Sequence, residues 1–173
     1  MTNTFIVLTV VADDHPGIVE DLSDALATHG GNWTESSMMT LAGKFAGILL
    51  AEVPEDRANS FLNVLDSLEA GGMQIVAQRS DKPARPAGAK EFNIELVGQD
   101  HPGIVHDITE VLARLGINVQ ELETTVQSAS MSGESLFVAH ARILVPEEVS
   151  PERLREEMEK LANELMVDIN LDT

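Results

Sequence analysis

The sequence predicts an α+β fold in which one β-α-β-β-α-β unit occurs twice in tandem, and three observations predict it. The phrase Asp14-His15-Pro16-Gly17-Ile18-Val19 returns unchanged as Asp100-His101-Pro102-Gly103-Ile104-Val105, 86 residues later. The same spacing sets Gly30 against Gly116, Asn32 against Asn118 and Glu35 against Glu121. Around each copy the apolar residues alternate, in one order, between the period of two that marks strands and the 3.6 that marks helices. A chain of 173 residues holds this as two units of about 80 residues each.

Phe5 to Val11 is a β-branched run closing on Ala12-Asp13-Asp14, short enough for a buried strand. From Pro16 the period changes. Ile18, Val19, Leu22, Ala25, Leu26 and His29 fall on one helical face with Asp21 and Asp24 opposite. Proline suits the first helical position, where its missing N–H had no partner, so Asp14 or His15 is expected to cap this helix and Asp100 or His101 its counterpart. Gly30-Gly31 stops it. Asn32 to Leu41 reads as a second strand, Ala42-Gly43-Lys44 as a turn, and Phe45 to Val53 as a third strand returning beside it. Glu55 to Ala70 carries Phe61, Leu62, Leu65 and Leu68 at helical spacing, Gly71-Gly72 ends it, and Met73 to Gln78 supplies the fourth strand.

Residues 81–91 lack an apolar period and are rich in Pro, Ala and Gly, which makes them a linker between units 1–80 and 92–173. The second unit repeats the order: a strand over Phe92 to Val97, a helix over Pro102 to Leu115, strands over Asn118 to Gln127 and Leu136 to Val145, a helix over Pro151 to Leu165 and a strand over Met166 to Leu171. Phe45 and Pro54 match Phe137 and Pro146 at a spacing of 92, so six extra residues stand in the second hairpin around Ser128 to Glu134. Their small, polar composition predicts a mobile loop, which meets a partner, covers a ligand or is a tolerated surface insertion. The β-α-β-β-α-β order is the ferredoxin-like motif, an antiparallel sheet with helices on one face. Two such units can join edge to edge, and pairing of whole chains into a homodimer would cover what remains open.

Composition narrows the function. Eleven Lys and Arg against 29 Asp and Glu leave a formal charge of −18, which argues against direct contact with nucleic-acid phosphates. A small molecule or a basic partner protein fits better. With no Cys there is neither a disulfide scaffold nor a thiolate metal site. The opening residues carry no basic n-region, and no stretch approaches the roughly 18 apolar residues of a membrane span. The expectation is a soluble, cytoplasmic protein without membrane contact. No HExxH, paired ligand spacing, nucleophile elbow or phosphate loop occurs, so no metal, no cofactor and no catalytic residue is expected. An RNA-reading sheet would need exposed aromatics and a basic surface, and the sequence has one Trp, no Tyr and five Phe. The acidic run from Glu147 to Glu164 has one apolar stripe, Leu154, Met158, Leu161 and Leu165, and reads as a solvated helix packed on the sheet.

The repeated phrase carries the chemistry. Free N–H groups at a helix start attract a carboxylate or phosphate, while an adjacent aspartate suits an ammonium, and the two together suit a free amino acid. Gly17 and Gly103 leave room for a close approach. The same phrase also serves as a strand-to-helix connection that needs no ligand.

A strand, then D-H-P-G-I-V at the head of a helix, then G-x-N, here Gly30-Gly31-Asn32 and Gly116-Ile117-Asn118, resembles the ACT domain, a ferredoxin-like module that commonly binds amino acids. Two such modules filling the chain resemble the glycine cleavage system transcriptional repressor family. The resemblance implies a non-enzymatic regulator that contacts a separate DNA-bound transcription activator in a manner responsive to glycine. The alternative it implies is an allosteric subunit controlling an enzyme of amino-acid or one-carbon metabolism. Carried over from the resemblance, the ligand positions are Asp14, His15, Pro16, Gly17, Ile18 and Asn32 in the first unit, and Asp100, His101, Pro102, Gly103, Ile104 and Asn118 in the second. Trp33 against Val119 makes the first site the bulkier, so the two are not expected to be equivalent.

Overall fold

The computed structural model describes residues 2–81, 86–128 and 133–173. The chain divides into two compact units, Met1–Ala84 and Arg85–Thr173. In the first, β1 (Asn3–Asp13), α1 (Ile18–Thr28), β2 (Asn32–Leu41), β3 (Lys44–Pro54), α2 (Glu55–Ala70) and β4 (Gln74–Ser80) follow one another. Their strands form an antiparallel sheet in the order β2-β3-β1-β4. The second unit repeats this with β5 (Lys90–Gln99), α3 (Ile104–Arg114), β6 (Asn118–Ser128), β7 (Ser135–Val145), α4 (Pro151–Leu165) and β8 (Asp168–Asp172), ordered β6-β7-β5-β8. Both units are ferredoxin-like.

Alternation along the central strands decides which face the helices cover. On β1, Ile6, Leu8, Val10 and Ala12 are buried, and they form one core with Ile18, Leu22 and Leu26 of α1 and Ala58, Phe61 and Leu65 of α2. Phe5, Val7, Thr9 and Val11 stand on the opposite face, which no helix covers. In the second unit, Phe92 and Ile94 of β5 pack with Leu112 of α3 and Leu154, Met158 and Leu161 of α4. Leu96 joins Ile104, Phe137, Ala139 and Val167 in a smaller cluster beside it. Among the described residues every buried core residue is apolar, and the scarcity of aromatics is met by Val, Ile, Leu, Ala and Met.

Three elements begin and end where the sequence pattern places them: Asn32–Leu41, Glu55–Ala70 and Pro151–Leu165. Strand β5 starts earlier than expected, because Lys90 and Glu91 already pair with Val145 and Leu144 of β7. The first hairpin closes through Ala42 and Gly43 with φ of 50° and 77°, two left-handed residues whose twist matches that of the flanking strands. The mobility expected of the second hairpin's insertion falls mainly on residues 129–132, which lie outside the described residues.

Two local expectations are corrected. Val19 does not join the core face of α1; it is 46% exposed, one position round the helix from the buried Ile18. Nor do Pro16 and Pro102 open their helices. Each helix begins two residues later, behind a left-handed glycine, Gly17 (φ 102°) or Gly103 (φ 92°), with no side-chain cap. The geometry expected there occurs instead at α4, where Pro151 opens the helix and the Ser150 hydroxyl accepts from the Arg153 N–H at 3.2 Å.

Candidate functional site

The repeated phrase builds the same corner twice. After β1, the Asp14 N–H donates to Gly43 O at 3.0 Å, and after β5 the Asp100 N–H donates to Ser135 O at 2.9 Å. Each phrase is thereby tied to the tip of the neighbouring hairpin. His15 Nδ1 lies 3.0 Å from Pro16 O, and His101 Nδ1 lies 3.1 Å from Pro102 O. A carbonyl only accepts, so a hydrogen bond at either place is donated by Nδ1–H. The left-handed glycine then turns the chain into the helix. A Cβ built on Gly17 or Gly103 meets nothing within 4 Å, so glycine is needed here for its backbone angle, and the space beside it is open.

What this corner offers is a bare helix start. The first intrahelical bonds are Asp21 N–H to Gly17 O and Asp107 N–H to Gly103 O. The N–H groups of Ile18, Val19 and Glu20, and of Ile104, Val105 and His106, therefore precede the hydrogen-bond ladder with no side chain capping them. Such groups stabilise an anion. The two corners differ in charge: α1 carries Glu20 and Asp21 in its first turn, whereas α3 carries only Asp107. The second corner is the more receptive to a carboxylate.

The residues singled out from the sequence do not all gather there. Asp14, His15 and Pro16 are exposed, as is Pro102, while His101 is half-buried. Ile18 and Ile104 are core residues, 2% and 3% exposed, so only their backbone can face a ligand. Asn32 and Asn118 lie elsewhere. Asn32 stands across β3 in register with Glu52, and Glu52 with Phe5, at the start of β1; the phrase follows Asp13 at its end. Asn118 stands likewise beside Leu144, which pairs with Glu91. Eight residues of strand separate the two ends, roughly 26 Å, far more than one amino acid spans. Within a unit, one ligand cannot touch both the phrase and the asparagine.

Trp33 makes the units unequal in a second way. In the second unit the groove between α3 and β6 holds a small apolar cavity of about 20 Å³, lined in part by Val105, Ile108, Val119 and Leu122. Thr109 also lines it, but its hydroxyl is spent on the Val105 carbonyl at 2.8 Å. In the first unit Trp33 takes the place of Val119 and Ser36 that of Leu122. The indole packs against the core, and its Nε1–H donates to the Ser36 hydroxyl at 3.0 Å. Neither the charge difference nor this groove follows from the phrase itself; the aligned pair Trp33 and Val119 was the one signal for it.

An exposed ion pair flanks the first corner. Lys44 Nζ bonds the Asp13 carboxylate, and that hydrogen bond, aided by the lysine's charge, holds the Asp13 pKa below its ordinary 3.8. A depressed carboxylate stabilises the fold above its unfolded pKa, and that contribution is lost as the pH falls through the folded one. Both side chains are mostly exposed, so screening leaves little of it. Lys44→Ala is expected to leave the melting temperature almost unchanged at pH 7, and whatever difference exists should vanish in melts run well below pH 3.8.

Fold and corners together define a class: a tandem pair of ferredoxin-like modules, each presenting an uncapped helix start behind a left-handed glycine. The chain belongs to the ACT-domain family, whose models match residues 4–78 and 92–163. A crystal structure of an unknown protein from Galdieria sulphuraria is 31% identical, covers 99% of this chain and 98% of its own, and superposes with a TM-score of 0.86. That of a candidate glycine cleavage system transcriptional repressor has the same coverage at 19% identity and a TM-score of 0.70, a likeness of fold. A UPF0237 protein of Methanopyrus kandleri is 35% identical over 77 residues, which are 44% of this chain and 79% of that one. The chain is thus an ACT-domain protein with two such modules in tandem. Among the described residues, no helix is long and apolar enough to cross a membrane.

Proposed function

We propose that this chain is a non-enzymatic, amino-acid-responsive regulator, a repressor of the glycine cleavage system that acts by contacting a DNA-bound transcription activator, and that whole chains pair. The observation that carries the ligand is the repeated corner: in each unit the start of a helix with no side-chain cap adjoins open space and an exposed aspartate. The N–H groups take the ligand's carboxylate and the aspartate its ammonium. The charge of −18 supports indirect action, since such a surface repels DNA. The name of the 19% identical structural relative agrees with this reading and does not carry it. Ligand binding shifts the population between two forms, of which the activator contacts one.

The test is thermal melting against free amino acids, glycine and serine foremost. A ligand at about 100 times its dissociation constant adds roughly 2.7 kcal/mol and raises the melting point by several degrees. Glycine is expected to do so, and no shift with any amino acid would end the sensor reading. Asp100→Asn, which removes the charge facing the ammonium, is expected to weaken glycine about tenfold without lowering the ligand-free melting point. Asn118→Ala distinguishes geometries: unchanged affinity keeps the site within one unit, and a loss means a second copy supplies the asparagine.

A further inference from the structure

We propose that the open face of the first unit's sheet is the surface on which a second copy of this chain docks, sheet against sheet. The inference rests on the pairing of whole chains proposed above and not on ligand binding. Alternation places the outward residues of β1, β2, β3 and β4 on this one face. There Val11, Met39, Leu41, Ile48 and Val76 are between 39% and 64% exposed. These are five of the ten large hydrophobic side chains exposed among the described residues. Single exposed hydrophobics need no explanation, but a contiguous set on a flat sheet does.

Charge identifies the occupant. The face has an uncharged centre and keeps its charges at the ends: the Asp13–Lys44 ion pair at the hairpin end, and Glu35 and Glu52 at the other, where Asn3 bonds Glu52 at 3.0 Å. An apolar centre with a polar rim is the anatomy of an interface. The corresponding face of the second unit is different, carrying Glu95, Glu121, Glu123, Asp168 and Asp172 around Arg142 and His140. Two chains of −18 repel wherever carboxylates would meet, so they close together on a sheet face whose centre is free of them. The first unit's face is the sheet face that satisfies this. Four strands about 4.8 Å apart and some ten residues long give a footprint on the order of 600 Å² per partner, at the lower end for a specific dimer. Twisted sheets stack in aligned fashion about 10 Å apart, and a two-fold axis makes the patch its own complement.

Sedimentation velocity on the full chain and its variants tests this. The wild type is expected to be a dimer that tightens with added salt, because salt screens the mutual repulsion, whereas a dimer held by ion pairs would loosen. Ile48→Glu and Ile48→Lys, at an exposed position on a central strand, should both weaken it about 100-fold, since either charge would be buried. Because one adds and the other removes negative charge, a common effect assigns the cause to apolar burial. Val76→Lys on the outer strand is the second probe, and an unchanged far-ultraviolet circular dichroism spectrum with a cooperative melt shows that the variants fold. A dimer that survives these substitutions places the pairing on another surface and overturns the assignment. A monomeric wild type overturns the pairing itself, while glycine's effect on melting stands or falls separately.

Discussion

Phe61→Ala is expected to unfold the first unit under conditions that leave the second intact. Phe61 is fully buried, the largest such side chain among the described residues, and lies where α2 meets the core of β1 and β3. Its ring sits 5.8 Å from that of His29, tilted at 56°, and the His29 Nδ1–H is held by Ala25 O at 2.7 Å. Truncation removes both the buried area and the partner that fixes the end of α1. A buried Phe replaced by Ala costs about 3–5 kcal/mol, most of what a unit of this size has. For a domain of about 80 residues each kcal/mol moves the melting point by roughly 4–8 °C, so the first unit's transition should fall by some 15 °C or more. The buried clusters of the two units share no residue. Amide hydrogen exchange should therefore show lost protection over residues 2–81 and none over 133–173. Equal losses in both would show that the units unfold as one.

How far the chain could be read from its sequence depends on what each residue had to report. Asn32–Leu41 was legible because Gly30-Gly31 precedes it and the turn residues Ala42-Gly43-Lys44 follow, although Lys44 proves to belong to β3, and Pro151–Leu165 because Ser150-Pro151 is a start signal that acts in the ordinary way. The start of α1 was not. Gly17 admits two explanations, room for a close approach or a left-handed angle, and only coordinates separate them. Asn32 illustrates a different limit. Aligning the repeats groups residues by position along the chain, while strand direction decides which end of the sheet each one reaches. Both β1 and β2 run antiparallel to β3, so β2 begins at the end of the sheet where β1 begins, and the asparagine and the phrase lie far apart in a unit. The polarity of the two open faces was readable in principle from alternation on β1 and β5. It acquires meaning only with the register that brings Ile48 and Val76 to the same face.

Gly103→Val should cost both stability and ligand, and the comparison with Gly103→Asn separates the two losses. At φ 92° a side chain with Cβ is strained, by about 1–2 kcal/mol for an ordinary residue and more for a β-branched one. The chain relieves this by rotating the turn, which moves the first N–H groups of α3 off their common aim. Asparagine tolerates the left-handed region, so Gly103→Asn should recover most of the melting point. It should not recover glycine affinity. A Cβ at this position touches no protein atom within 4 Å, so the added side chain occupies space the protein leaves empty and a ligand would need. Ligand titrations followed by melting should then show Val impaired in both stability and affinity and Asn in affinity alone. Full affinity in the Asn variant would mean that the open space beside Gly103 is not where the ligand sits, and would leave the glycine with a purely conformational role. The same pair at Gly17 should change affinity less, because Glu20 and Asp21 already disfavour a carboxylate at that helix start.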